Sequence, residues 1–137
     1  MNTTLIQQTW NSLSSHHHEV VEAFYDRLFA RHPDFKRFFD QDRMARQMDK
    51  MVNTLAVIAC YADSNNLIGP RLDRIGLAHA HYGISDDELA QFADTLLDVL
   101  GEYCARYNPG GWTADCERAW RAAFDTVVLP RIEQRLH

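Results

Sequence analysis

Apolar residues recur along the chain at the three- and four-residue spacing of a helix, with few breaks between these stretches. The only prolines are Pro33, Pro70, Pro109 and Pro130, and no glycine precedes Gly69. The periodicity and these breakers predict helices over residues 4–13, 17–31, 42–61, 70–81 and 85–107, and from 113 nearly to the C-terminus. A short turn over residues 33–39 separates the second helix from the third.

The ends of the predicted helices carry signals of their own. Pro33 disfavours helix at the residue before it, so the second helix should end there. Ser85, followed by acidic residues up to Glu88, has the form of a capping box. Thr113 is a good N-cap for the last helix, which Pro130 is expected to kink. Helices of unequal length joined by short corners favour a single all-α domain of the non-bundle type over residues 1–137.

The composition limits the classes of function. A hydrophobic fraction of 46% and a charged fraction of 24% over 137 residues are typical of one soluble globular domain. A net charge of −5 argues against nucleic acid or an anionic membrane surface as partner, and favours a small molecule or another protein. The N-terminus lacks the apolar segment of a secretory signal, and the longest apolar run, residues 55–62, is too short to span a bilayer.

The chain also contains three cysteines and a run of three histidines. Cys60, Cys104 and Cys116 are an odd number without metal-ligand spacing, and Cys60 is expected to be buried because it lies in an apolar run. These features favour a reducing cytoplasm. Residues 16–18 are all histidine, which could indicate a metal site, although such a corner without a second ligand cluster is more often solvated.

Three polar residues interrupt the apolar faces of the predicted helices. His79 follows apolar residues at helical spacing and so faces inward, whereas His81 lies on another face. Gln47 interrupts the apolar face of the third helix, and Tyr25 accompanies apolar neighbours on the second. Taken singly, His79 and Tyr25 are better explained as core residues whose hydrogen bonds are satisfied, and Gln47 is either functional or hydrogen-bonded to a neighbour.

A set of motifs spread along the chain carries a family resemblance. They are FYDRLF at 24–29, HPDF at 32–35, Phe38-Phe39 and Ala119-Trp120. Gln47 stands 32 residues before His79, and Ile84 follows His79 by five. In this set the chain closely resembles the bacterial single-domain haemoglobins and the globin domains of flavohaemoglobins. The resemblance covers nearly the whole chain and implies a globin fold.

The resemblance also implies one haem b, held in a pocket between the helices. His79 would be the axial ligand of the iron, and Tyr25 and Gln47 would donate hydrogen bonds to a diatomic gas on the opposite side. Phe39 would wedge against the haem. The remaining apolar walls implied are Phe24, Leu28, Phe38, Val52, Leu55, Ile84 and Phe92.

Basic residues and a methionine flank the same pocket. The basic residues are Arg46, Lys50, Arg71 and Arg74, which could pair with haem propionates, although solvated helix faces explain them equally well. Met51 stands where the family has an aliphatic residue. Packing over the haem is favoured for it, and ligation of the iron by its sulfur is the alternative.

On the side of His79 the chain departs from flavohaemoglobins. Leu89 stands at the position of a family tyrosine, Arg135 at that of a glutamate, and Ala78 replaces a lysine. No flavin or nicotinamide segment follows in the sequence. Weak activation of His79 is therefore expected, and a self-sufficient nitric oxide dioxygenase is not.

The expected function is reversible binding of O2, and also of CO and NO, in oxygen transport or storage. The alternative is nitric oxide dioxygenase or related nitrite or peroxide chemistry served by a separate reductase. A gas sensor is less favoured because no output segment is visible, and a globin-like fold without haem is the remaining possibility. Either a single chain or a homodimer is compatible with the sequence.

Overall fold

The structure, a computed structural model, describes residues 2–61 and 83–129, apart from the side chain of Val127. Within those two ranges the chain forms α-helices, 3-10 turns and one π-helical turn, and no strand. The helix predicted over residues 70–81 and the kink at Pro130 lie outside the described residues. In the same two ranges, no helix is both long enough and apolar enough to cross a membrane.

The first two helices form where the sequence predicts them. Helix α1 spans Thr3–Asn11 and begins at Asn2, whose side chain accepts a backbone hydrogen bond. Helix α2 spans His17–Arg31, the range that the periodicity predicts, and ends at His32 because proline follows. The predicted range for α1, residues 4–13, is shifted by up to two residues, because residues 12–15 form turns instead of a last helical turn.

Two 3-10 turns, Pro33–Phe38 and Gln41–Arg43, connect α2 to helix α3, which spans Met44–Tyr61. The first turn is anchored by Phe35, which is buried in the core. The predicted start of α3 at residue 42 falls in the second 3-10 turn, a difference typical of helix termini.

The second half begins with the capping box that the sequence predicts. Ser85 caps helix α4, which spans Asp86–Tyr107. Its hydroxyl oxygen accepts from the backbone N–H of Glu88, and the Glu88 carboxylate accepts from the backbone N–H of Ser85. Thr113 caps helix α5, which spans Ala114–Ala123. The predicted last helix continues from there as a π-helical turn, Phe124–Val128, which the sequence does not announce.

The core lies where the helices pack on one another. Helix α2 packs against α3 and α4, whereas α1 packs against α3 and α5. A buried hydrogen bond joins α1 to α5, because Trp120 Nε1 on α5 donates to Thr9 Oγ1 on α1 over 2.6 Å. Trp120 is fully buried, so this bond satisfies an indole N–H that water does not reach.

The cysteines correct one sequence expectation. Cys104 and Cys116 are buried, but Cys60, expected to be buried, is exposed. The buried residues of this turn of α3 are Ile58 and Ala59, and the next position is rotated by about 100° away from the core. The apolar run around Cys60 is therefore not buried on every face.

Each of the three histidines at the start of α2 contacts a different helix. His16 stacks on Tyr107 of α4 with ring centroids 3.6 Å apart. His17 stacks on Trp10 of α1 at 3.8 Å. The exposed ring of His18 lies 2.7 Å from Asp49 of α3. In the described part of the chain, no three His, Cys, Asp or Glu side chains are grouped to hold a metal ion.

Candidate functional site

A cavity of about 690 Å³ is bounded by residues of α2, α3 and α4. The turn Pro33–Phe38 and the π-helical turn Phe124–Val128 also contribute walls. Most of the side chains that line it are apolar, and the polar ones come mainly from α2, α3 and the residues just before α3. Cofactor sites commonly enclose roughly 300–1,000 Å³ with apolar walls and a few placed polar groups, and this cavity has that form.

Tyr25 and Gln47 form a hydrogen-bonded pair in the cavity wall. Gln47 Nε2, on α3, donates to the hydroxyl oxygen of Tyr25, on α2, over 3.1 Å. Within the described ranges, no acceptor takes the hydroxyl hydrogen of Tyr25. The pair therefore leaves one O–H of Tyr25 and the second N–H of Gln47 for a ligand in the cavity.

Burial keeps the hydroxyl of Tyr25 protonated. Tyr25 is 1% exposed, and desolvation raises its pKa to about 12, against which the hydrogen bond from Gln47 acts only partly. At neutral pH the side chain is thus a neutral O–H donor and not a phenolate.

Phe39 packs against the ring of Tyr25. Its ring meets that of Tyr25 edge-on at 5.4 Å and that of Phe29 at 5.7 Å. Such edge-to-face pairs fix the relative orientation of rings. Phe39 itself lines the cavity and is half-buried, so it presents part of its ring to whatever the cavity holds.

The other apolar residues expected at the pocket also line this cavity. They are Phe38, Met51, Leu55, Ile84 and Phe92. Met51 is 8% exposed and belongs to the main core cluster, so packing accounts for its position. Leu89, at the position where the resemblance places a tyrosine, is buried and lines the cavity as well.

Three expected wall residues are placed elsewhere. Phe24 and Leu28 are fully buried in the core and do not line the cavity, because Tyr25 is the residue of this turn of α2 that faces it. The ring of Phe24 packs instead against Phe92 at 4.8 Å. Val52 is half-buried beside Met51, which occupies the cavity wall in its place.

The cavity-lining residues in and just after the π-helical turn were not identified from the sequence. Phe124, Val128 and Leu129 line the cavity, and so do Phe35 and Ile58. Phe35 and Ile58 are apolar residues of recognised elements, so their periodicity was a usable signal. A π-helical turn has no comparable sequence signature, and it changes which residues of the last helix face inward.

One edge of the cavity is basic. Arg43, Arg46 and Lys50 line it and are exposed to solvent. Arg43 pairs weakly with Asp40, with Nε and Oδ2 3.6 Å apart. In the part of the chain that the structure describes, Arg46 and Lys50 have no ion pair, so both charges are available to an anionic group at this edge.

Several predicted residues lie outside the described ranges. His79, the expected axial ligand, is among them, as are Arg71, Arg74, Ala78 and Arg135. The roles assigned to these residues, and the choice between His79 and His81, stay predictions.

Comparisons with known proteins identify the family of the fold. A family model described as Globin matches residues 22–129. A flavohemoprotein of Halalkalibacterium halodurans is 24% identical over 141 aligned positions, and the match covers 97% of this chain and 32% of the relative. The flavohemoprotein of Bacillus subtilis is 29% identical over 130 residues, 90% of this chain and 31% of the relative. That of Vibrio cholerae is 25% identical over 122 residues, 88% of this chain and 30% of the relative.

This chain spans about a third of the length of these curated relatives. The matched region of the family model runs from α2 to just beyond the π-helical turn and contains every described residue that lines the cavity. Because the family model covers most of the chain and the described ranges are helical around an apolar cavity, the chain belongs to the globin family.

Proposed function

We propose that this protein binds O2 reversibly at a haem b held in the cavity, with His79 as the axial ligand and Tyr25 and Gln47 as donors to the gas. Membership of the globin family implies the haem cofactor. The observation that carries the proposal is the pair at the cavity wall: Gln47 donates to the oxygen of Tyr25, so the phenol hydrogen is directed away from Gln47.

The described walls fit a flat apolar macrocycle that carries carboxylates at one edge. Apolar side chains such as Phe38, Leu55 and Phe92 would pack on its faces, and Phe39 would wedge against it. Arg46 and Lys50 would pair with its propionates at the basic edge. When bound, the haem supplies an iron at which a diatomic gas can coordinate.

The chain's own contribution is to select and retain the gas. The O–H of Tyr25 favours a ligand that accepts a hydrogen bond, and burial preserves that O–H at physiological pH. The apolar walls disfavour water around a bound gas, which would strengthen the same hydrogen bond and limit oxidation of the iron. CO and NO would enter the same space, but CO is the poorer acceptor.

A reaction that consumes the gas is the second candidate. The relatives are named flavohemoproteins, and the chain covers about a third of their length. Nitric oxide dioxygenation, or related nitrite or peroxide chemistry, would draw its electrons from a reductase. Rapid reduction of the haem on addition of a reductase and NAD(P)H would favour this candidate. Oxygen transport in the cytoplasm, by a single chain or a homodimer, stays a prediction alongside it.

The axial ligand gives the direct test of the proposal. His79→Ala should abolish most haem uptake by the purified protein, with recovery on addition of imidazole, and the ultraviolet–visible spectrum measures this. His81→Ala is the matched control and should retain the spectrum of the original protein. If His81→Ala lost the haem and His79→Ala kept a normal spectrum, the assignment of the ligand would be wrong.

A further inference from the structure

Two segments that line the cavity are joined by an ion pair beside it. Arg37, in the turn Pro33–Phe38, places Nη2 2.6 Å from Oε2 of Glu88, in the first turn of α4. The next residue after Arg37 is Phe38, and Ile84 lies just before the cap of α4; both line the cavity. The ion pair thus links the two chain segments that carry the cavity-lining residues Phe38 and Ile84.

Glu88 is fixed by more than this pair. Its other carboxylate oxygen, Oε1, accepts from the backbone N–H of Ser85 over 3.1 Å, as part of the capping box. Its side chain is only 19% exposed. Burial alone would raise the pKa of Glu88, but hydrogen bonds from Arg37 and Ser85 outweigh it and hold the pKa below its ordinary value.

Contacts within its own turn also orient the side chain of Arg37. Its guanidinium lies 4.0 Å from the centre of the Phe38 ring, and its Nη1 donates to the backbone oxygen of Asp34 over 2.7 Å. An arginine so placed supports the ring of Phe38 and pairs with Glu88 at once. Because both partners are already oriented, pairing costs little side-chain entropy, unlike most surface ion pairs.

We propose that Arg37 and Glu88 act as a positioning pair, the rim clamp, which holds Phe38 and Ile84 in place in the cavity wall and slows the escape of the bound cofactor. The clamp acts through these walls and touches no ligand itself. This proposal rests on the proposed function, since it assumes that the cavity holds the haem.

The test measures the rate at which haem passes from the protein to an excess of a high-affinity acceptor globin. Arg37→Met removes the charge and the contact with Glu88, whereas Glu88→Gln removes the charge but keeps a residue that serves a capping box. Each variant should release haem roughly three- to tenfold faster than the original protein. The double variant should be no faster than the faster single variant, because both lose one shared interaction.

A second ion pair supplies matched controls. Arg31 Nη1, at the end of α2, pairs with Asp98 Oδ2 on α4 over 2.8 Å, and neither residue lines the cavity. Arg31→Met and Asp98→Asn should therefore leave haem release unchanged. Amide hydrogen exchange at Phe39, whose N–H donates to the Lys36 carbonyl in the same turn, should speed up in Arg37→Met and not in Arg31→Met.

The outcomes separate the clamp from the function on which it rests. If the purified protein took up no haem, the proposed function would be wrong, and the clamp would fall with it because its effect is on haem release. If haem bound normally but both clamp variants released it at the rate of the controls, the clamp alone would be wrong. Equal acceleration in all four variants would also overturn it, because a general loss of stability would then explain the release.

Discussion

Tyr25 is a buried phenol whose oxygen accepts one hydrogen bond and whose hydrogen has no acceptor within the described ranges. In an ordinary core a tyrosine hydroxyl donates to a neighbour, since an unused buried donor costs free energy. Here Gln47 is the donor and the oxygen of Tyr25 the acceptor, so the O–H of Tyr25 remains available to a ligand. The sequence could place the two residues at one site, but only their geometry shows that Gln47 also orients Tyr25.

The titration of Tyr25 provides a prediction at this scale. Its raised pKa of about 12 means that the folded protein holds the phenol proton more tightly than the unfolded chain does. The stabilisation is present below the ordinary pKa of about 10 and is lost as the pH rises through about 12. Phenolate absorbance should show a late component that Tyr25→Phe removes. A tyrosine titration that Tyr25→Phe leaves unchanged would contradict the burial described here.

Met51 gives a second prediction at the scale of a residue. Its place in the core cluster favours packing, so the reduced haem should be five-coordinate. Met51→Leu is close in volume and should change the free energy of unfolding by less than about 1.5 kcal/mol. The absorbance spectrum of the reduced protein should stay the same. Sharp bands of a six-coordinate, low-spin haem that vanish in Met51→Leu would show that the sulfur is a ligand.

Among the elements, the helices with strong terminal signals could be predicted best. The range of α2 and the capping box of α4 follow from Pro33 and from Ser85 with Glu88. The start of α3 and the end of α1 differ by up to two residues, because local 3-10 and turn geometry competes there with the helix. The π-helical turn after α5 could not be predicted, since the same residues would also form a regular α-helix.

The contact between α1 and α5 yields a prediction at the scale of elements. Thr9→Val removes the acceptor of the buried Trp120 N–H and should cost about 1–3 kcal/mol of unfolding free energy, measured by urea denaturation. Thr95→Val is the matched control. Thr95 is equally buried, but its hydroxyl only donates to the Gln91 carbonyl within α4, so its loss should cost less than about 1 kcal/mol. Equal costs would mean that the bond between Trp120 and Thr9 adds little.

For the whole molecule, the fold and most of the described site were accessible from the sequence, and the family comparison confirms the fold. Tyr25 on α2, Gln47 on α3 and Phe39 in the connection between the two 3-10 turns line one cavity although they are separated along the chain. Phe24 and Leu28 were misplaced because an apolar helix face alone does not distinguish a cavity wall from the solid core. The basic edge was only partly predicted, since an exposed lysine or arginine looks the same in sequence whether or not it borders a cavity.

The most direct test of the central claim is the rate of gas release, measured by stopped-flow displacement of O2 and, separately, of CO. A hydrogen bond to a ligand that bears charge contributes roughly 1.5–3 kcal/mol, so Tyr25→Phe should speed O2 release by roughly ten- to a hundredfold. Gln47→Leu should act in the same direction, and the double variant should deviate from additivity because the two side chains share a hydrogen bond.

Release of CO is the control, because CO accepts hydrogen bonds poorly and gains little from the donors. The account predicts that Tyr25→Phe and Gln47→Leu change the CO rate much less than the O2 rate. Equal changes in the two rates would mean that Tyr25 acts by its bulk alone, and would contradict the hydrogen-bonding role assigned to the pair.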